Sequence, residues 1–192
     1  MTCGYGRTYE IPELFERVAS IEGVTGIEYI GNWHVSDATI HLIADLRKQY
    51  GFESVAIIPD HFGSPVWGKG AFTAPDPAVR KKAVQETLKM AEFARALDCG
   101  IISIWNGQDG YDYPLQADYI DAAKWLAEGL GECCTLAPDI RFSLEYKPKE
   151  PRCHCFIPNV WAALTLIAES HMPNLGVTID VGHSLEAYEN VS

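Results

Sequence analysis

The sequence predicts an α/β protein built on a parallel sheet, in the manner of a (β/α)8 barrel that is short of strands. Three observations carry this. Short runs of β-branched and apolar residues alternate, without a break, with longer segments at helical spacing. Polar residues fall at or just after the C-terminal ends of those runs: Trp33-His34, Asp60-His61, Trp105-Asn106, Glu145-Lys147 and Asp180-His183. Barrel enzymes assemble their sites from many strand ends in this way, whereas an open sheet concentrates them at one switch point. Finally, no G-x-G-x-x-G lies between a strand and a helix, so a dinucleotide fold gains no support. Periodicity by itself is compatible with either an open doubly wound sheet or a barrel.

The elements follow in order. Helix Ile11 to Ile21 opens with Pro12 and is followed by Gly23, and strand Gly26 to Ile30 ("GIEYI") comes next. Helix Asp37 to Tyr50 ends at Gly51, leading into strand Ser54 to Ile58 ("SVAII"). Helix Asp76 to Leu97 begins with Asp-Pro, a capping side chain followed by a residue pre-set for a first helical turn, and precedes strand Ile101 to Trp105 ("IISIW"). Helix Ala117 to Glu132 leads to strand Arg141 to Tyr146 ("RFSLEY"), and helix Pro158 to Ser170 to strand Gly176 to Val181 ("GVTIDV"). A sixth helix begins in "GHSLEAYENVS". Five strands occupy 192 residues, whereas a whole barrel takes eight strands and about 250 residues. The expectation is one barrel domain, truncated at one or both ends.

Composition bounds the function. With 47% hydrophobic residues the chain can build a substantial core, and its formal charge of -11 leaves no excess of Lys and Arg to neutralise a phosphate backbone. Nucleic acid and anionic membrane are therefore poor partners. No apolar run approaches the roughly 20 residues of a bilayer span, and "MTCGYGRTYE" lacks the charge and apolar pattern of a signal peptide. A cytoplasmic protein is expected. Six cysteines (Cys3, Cys99, Cys133, Cys134, Cys153, Cys155) scattered through core-forming sequence read as thiols. Cys153-His154-Cys155 has no second Cys or His pair at metal spacing, which leaves half a tetrahedral zinc site unaccounted for.

The chemistry concentrates near the C-terminal half. Glu145 and Lys147 are two apart on a strand, so both side chains point to one face, where they are expected to pair or to share a third charge. "TIDVGHS" adds a carboxylate, Asp180, at the end of a buried strand and an imidazole, His183, just beyond. Two carboxylates and a His from different strands suit a hard divalent cation, magnesium, manganese or cobalt more than zinc.

These residues also carry a family resemblance. "LEYKPKEPR", Leu144 to Arg152, resembles the segment of xylose isomerases in which a metal-ligating Glu and a Lys at i+2 precede a Pro-x-Glu-Pro-Arg turn. "IWNGQDGYDYPLQADY" resembles that family's Trp-Gly-Gly-Arg-Glu-Gly-Tyr-Glu-Tyr run after the fourth strand, and "DVGHS" adds a weaker match. The resemblance spans Gly26 to Ser184, read as strands two to six of a xylose-isomerase-like barrel. It implies metal ligation by Glu145, Asp180 and His183, with His183 also in the catalytic site. Lys147 would hydrogen-bond the sugar carbonyl oxygen, Trp105 would stack on the sugar, and His34 would stand near the place of a ring-opening His, one residue out of register. Asp180 replaces the longer Glu of xylose isomerases proper, as in related sugar epimerases. Further ligands after strands seven and eight of the family lie beyond the matched segment. The implied activity is a divalent-metal-dependent aldose-ketose isomerase acting on a small-molecule sugar. A ketose 3-epimerase or inosose-type dehydratase, and a non-catalytic half-barrel that self-associates through its open strand edges, stand as alternatives.

Overall fold

The computed structural model describes residues 8–191. Five strands form one parallel sheet in the order β1-β2-β3-β5-β7: β1 (Gly26–Ile30), β2 (Glu53–Ile58), β3 (Ile101–Trp105), β5 (Arg141–Glu145) and β7 (Leu175–Thr178). Each crossover carries a helix: α2 (Ile40–Tyr50), α3 (Pro77–Ala96), α4 (Tyr119–Leu136) and α5 (Val160–Ser170), with α1 (Ile11–Ala19) before β1 and α6 (Val181–Glu186) after β7. This is the α/β order expected of a barrel. Among the described residues the barrel does not close, since β1 and β7 each pair on one side only.

Helix starts obey capping chemistry. Asp76 accepts from the Ala78 amide at 2.8 Å ahead of Pro77, Asp118 caps α4 through Ile120 and Asp121, and Asn159 accepts from Ala162. α2 ends at Gly51 in the left-handed region (φ 71), the conformation that glycine adopts without a Cβ penalty.

Boundaries differ from the sequence expectation where polar side chains intervene. The helix expected from Asp37 starts at Ile40, because the Thr39 hydroxyl accepts from the Ser36 amide and donates to the His34 carbonyl, holding 36–39 as a turn. The strand expected to run to Val181 stops at Thr178, because Asp180 turns its carboxylate onto the His183 amide and caps α6. α4 runs four residues past Glu132 because Cys133 and Cys134 continue its buried stripe. The sequence reading missed a small antiparallel ribbon, β4 (Gly110–Tyr111) with β6 (His154–Cys155), too short to show an alternation.

The core lies between the sheet's outer face and the helices. Phe142 and Leu144 of β5, Ile102 and Ile104 of β3, and Leu130 of α4 are all at most 1% exposed, each contributing on the order of 1.5–3 kcal/mol of transfer free energy. The alternate residues of β5, Arg141, Ser143 and Glu145, face the other way. The inner face is a concavity of about 460 Å³ lined by Glu28, Ser103, Arg141, Ser143 and Thr178. Thr178 donates to Ser143 at 2.7 Å and lies 3.3 Å from the Ser103 hydroxyl, so three strands are tied by hydroxyls across this floor.

Candidate metal centre

Glu145 ends β5, and its register partner on β7 is Thr178, so Asp180 emerges beside it two residues later. Asp180 is the N-cap of α6, and its first turn brings His183 back over the strand end. One ligand atom from each of Glu145, Asp180 and His183 falls within 4.8 Å of the others, the sole such group of metal-binding side chains among the described residues. All three are half-buried. His183 Nδ1 lies 3.2 Å from Glu145 Oε1, yet the nitrogen is buried without a hydrogen-bonded partner.

The electrostatics are unbalanced. Burial, then the charges of Asp180 and Glu28, push the Glu145 carboxyl up to about 7, against a smaller opposing pull from Lys147. Burial also raises Glu28. Glu28 was not singled out from the sequence. The available signal was a carboxylate in the middle of the apolar run "GIEYI"; it lines the cavity wall, and a register shift places Ala56 opposite it. The residues present fit a divalent cation: an orphaned imidazole nitrogen and a Glu145 carboxyl pushed up by burial and by Asp180 are relieved by one positive charge among them.

Lys147 is on the same face but does not form an ion pair with Glu145. Its Nζ lies 3.5 Å from Glu150 Oε2 and 5.8 Å from the Trp105 ring centre. Pro148 ends the extended run, and the amide of Lys147 instead donates to the Ile157 carbonyl, so the side chain leans over the aromatic wall. Trp105 meets Phe62 edge to face at 4.9 Å, and Phe62 meets Trp33 at 5.8 Å. Trp33 Nε1 donates to Asp60 at 2.8 Å, and Asp60 accepts from the amides of Phe62 and Gly63, fixing the loop that carries the middle ring. Three strand ends thus contribute one row of rings beside Lys147. The wall's dependence on Phe62 and Trp33 was not legible, because it comes from contacts between loops.

His34 is not brought to the trio. Its Nδ1 accepts from the Ile30 amide at 3.0 Å, and the ring lines a separate cleft with α1 residues such as Leu14 and Val18. Burial lowers its proton affinity. His61 is buried between Trp67 and Phe72, also away from the trio. Cys153-His154-Cys155 forms no metal group; His154 stacks on Tyr111 at 4.9 Å, and Cys155 is buried while Cys153 is exposed.

The matched family model, xylose isomerase-like TIM barrel, covers residues 15–191. The chain belongs to the xylose isomerase-like TIM barrel family. Solved structures of similar fold include an AP endonuclease of family 2 from Brucella melitensis (19% identity, TM-score 0.74, 91% of this chain and 64% of that one). Another is a D-psicose 3-epimerase from Clostridium cellulolyticum H10 solved with D-tagatose (17%, TM-score 0.73, 93% and 60%). A third is the IolI protein with a bound zinc atom (14%, TM-score 0.69, 92% and 60%). At these identities the likeness is one of fold, and the chain spans less than two thirds of the length of each. Within this xylose isomerase-like barrel, the five strands carry the trio and the aromatic wall at their C-terminal ends, the face on which barrel enzymes build their sites. No helix among the described residues is long and apolar enough to cross a membrane.

Proposed function

We propose that the chain is the metal-binding portion of a divalent-metal-dependent sugar isomerase that interconverts an aldose and a ketose. The observation that carries this is the convergence of Glu145, Asp180 and His183 beside Lys147 and the Trp105 wall. A magnesium, manganese or cobalt ion held by the trio would polarise neighbouring sugar oxygens. Lys147 supplies an ammonium to the carbonyl oxygen, where negative charge develops as hydrogen passes between C1 and C2. Trp105 packs on the apolar C–H face of the sugar and, with Phe62, keeps water from the reacting carbons. Glu145 and His183, 3.2 Å apart, would hold that ion from two successive strand ends.

A ketose 3-epimerase is the second reading, favoured by the short acid at Asp180 and by the two carboxylates of the trio, which could move a proton. Incubation of the chain with manganese and a panel of aldoses and ketoses in deuterated water separates the two. Hydride transfer delivers the substrate's own hydrogen, so an isomerised product without solvent deuterium supports the isomerase. Deuterium at the inverted carbon of an epimer supports the second reading. A net charge of -11 supports a small-molecule sugar over nucleic acid as partner. Five unpaired cysteines among the described residues support a reducing, cytoplasmic setting.

A further inference from the structure

We propose that Tyr146, Ser184 and Glu189 form a clasp that positions Glu145 and His183, an inference that rests on the metal-centre reading above. Tyr146 and Ser184 are the residues directly after two of the three ligands. Strand alternation turns Tyr146 away from the cavity, where it is 1% exposed, and Ser184 is fully buried. Their hydroxyls lie 2.6 Å apart. Tyr146 also donates to Glu189 Oε2 at 2.6 Å, and the Ser184 hydroxyl lies 2.9 Å from the carbonyl of Asp180, the third ligand. Glu189 Oε1 accepts from the Val160 amide at the start of α5, and the Glu189 amide donates to the Ser184 carbonyl.

This network is what holds α6. The helix has six residues and buries only Ser184, while Val181 and Leu185 are more than half exposed. Apolar packing therefore contributes little to its orientation, yet that orientation decides where the His183 ring sits relative to Glu145. A hydroxyl bridge between the residues next to each ligand sets the separation of the two ligands themselves. Holding a coordination site takes a tolerance of about 0.5 Å, which supporting hydrogen bonds supply.

The chemistry also explains a carboxylate at Glu189. Both of its side-chain partners, the Tyr146 hydroxyl and the Val160 amide, donate, so two acceptor oxygens are needed. Methionine, of similar length, offers none. Glu189→Met removes both arms at Glu189 while changing no ligand, whereas the amide of a glutamine would donate to a Tyr146 hydroxyl turned toward Ser184 and keep the network.

The test is cobalt(II) titration of the full chain, followed by its visible absorption, at a temperature where circular dichroism reports each variant folded. Glu189→Met and Tyr146→Phe are expected to weaken cobalt binding about tenfold and to alter the band shape. Variants that lose thermal stability but keep the wild-type cobalt affinity and spectrum would overturn the clasp as a positioning device. If Tyr146→Phe does not fold, Glu189→Met, at a half-buried position, decides. Failure of the underlying reading has a different signature: the wild-type chain binds cobalt no better than Glu145→Gln, and the inference falls with it.

Discussion

Glu145 Oε1 and His183 Nδ1 approach to 3.2 Å without the alignment of a hydrogen bond. Two lone-pair-bearing atoms at that spacing, with Asp180 alongside, gain more from a shared cation than from each other. The same crowding costs stability when no cation is bound, because Asp180 and Glu28 oppose ionisation of Glu145.

Glu145→Gln should therefore move stability in opposite directions with and without metal. A folded-state carboxyl raised toward 7 binds more protons than the unfolded chain between about pH 4.5 and 7, so it destabilises the metal-free protein progressively as pH rises through that window. At pH 8 the metal-free variant is expected to melt above the wild type. Added manganese at about 100 times its dissociation constant should stabilise the wild type by about 2.7 kcal/mol, a rise of roughly 5–10 °C, and leave the variant nearly unchanged. Melting curves of both proteins with and without manganese check this. A wild type indifferent to manganese would remove the metal centre from consideration.

Gly107 fixes the position of Trp105. A Cβ at Gly107 would run into the Trp105 indole at Cζ2, and the ring cannot yield freely because Phe62 meets it at 4.9 Å. Gly107→Ala is expected to cost about 1–3 kcal/mol in urea unfolding, the range for overpacking, and to weaken sugar binding while manganese affinity stays the same. Loss of both affinities together would mean that the wall and the metal centre are not separable parts.

The strands were legible in the sequence because a strand that packs one face under helices concentrates apolar and β-branched residues in a short run: "GIEYI" and "IISIW" mark β1 and β3 to the residue. The trio was legible for a related reason. Glu145, Asp180 and His183 are polar residues at the ends of such runs, where a parallel fold brings strand termini together, and the xylose isomerase-like segment "LEYKPKEPR" adds its own spacing. Glu28, Phe62 and the Tyr146–Ser184–Glu189 clasp were not. Glu28 stands in the middle of an apolar run and gains its neighbours from strand pairing, Phe62 acts through ring contacts between loops, and the clasp joins Tyr146 to residues 38 and 43 positions on. The partner of Lys147, Glu150, is set by the turn that follows rather than by strand alternation.

His61 makes stability pH-dependent in the acid range. Burial between Trp67 and Phe72 lowers its pKa to about 3 from 6.5, and its Nδ1 has no partner. Between those values the unfolded chain takes up a proton that the folded one refuses, so this residue's contribution to stability is present above pH 6.5 and is lost as pH falls. At pH 4.5 the loss amounts to roughly 2–3 kcal/mol. His61→Gln, which does not titrate, should narrow the gap between urea unfolding free energies at pH 7 and 4.5 by about that amount. An unchanged gap would show that the ring is charged in the folded protein.

Lys147 bears on which reaction the site performs. Its ammonium lies on the cavity face, 5.8 Å from the centre of the Trp105 ring and 3.5 Å from Glu150, and touches neither Asp180 nor His183. If it serves the carbonyl oxygen in an aldose-ketose interconversion, Lys147→Met should lower kcat by about 100-fold or more, the cost of losing one donor to a developing oxyanion. Cobalt affinity should stay near wild type, because the substitution keeps the length of the apolar stem and removes no ligand. In a proton-transfer epimerisation carried by the carboxylates, the same change should raise KM with kcat little altered. Glu150→Gln provides the control: it frees Lys147 from its ion pair without removing the ammonium, so an isomerase should retain its rate. Equal loss in both variants would assign Lys147 to the turn that precedes β6 rather than to the sugar.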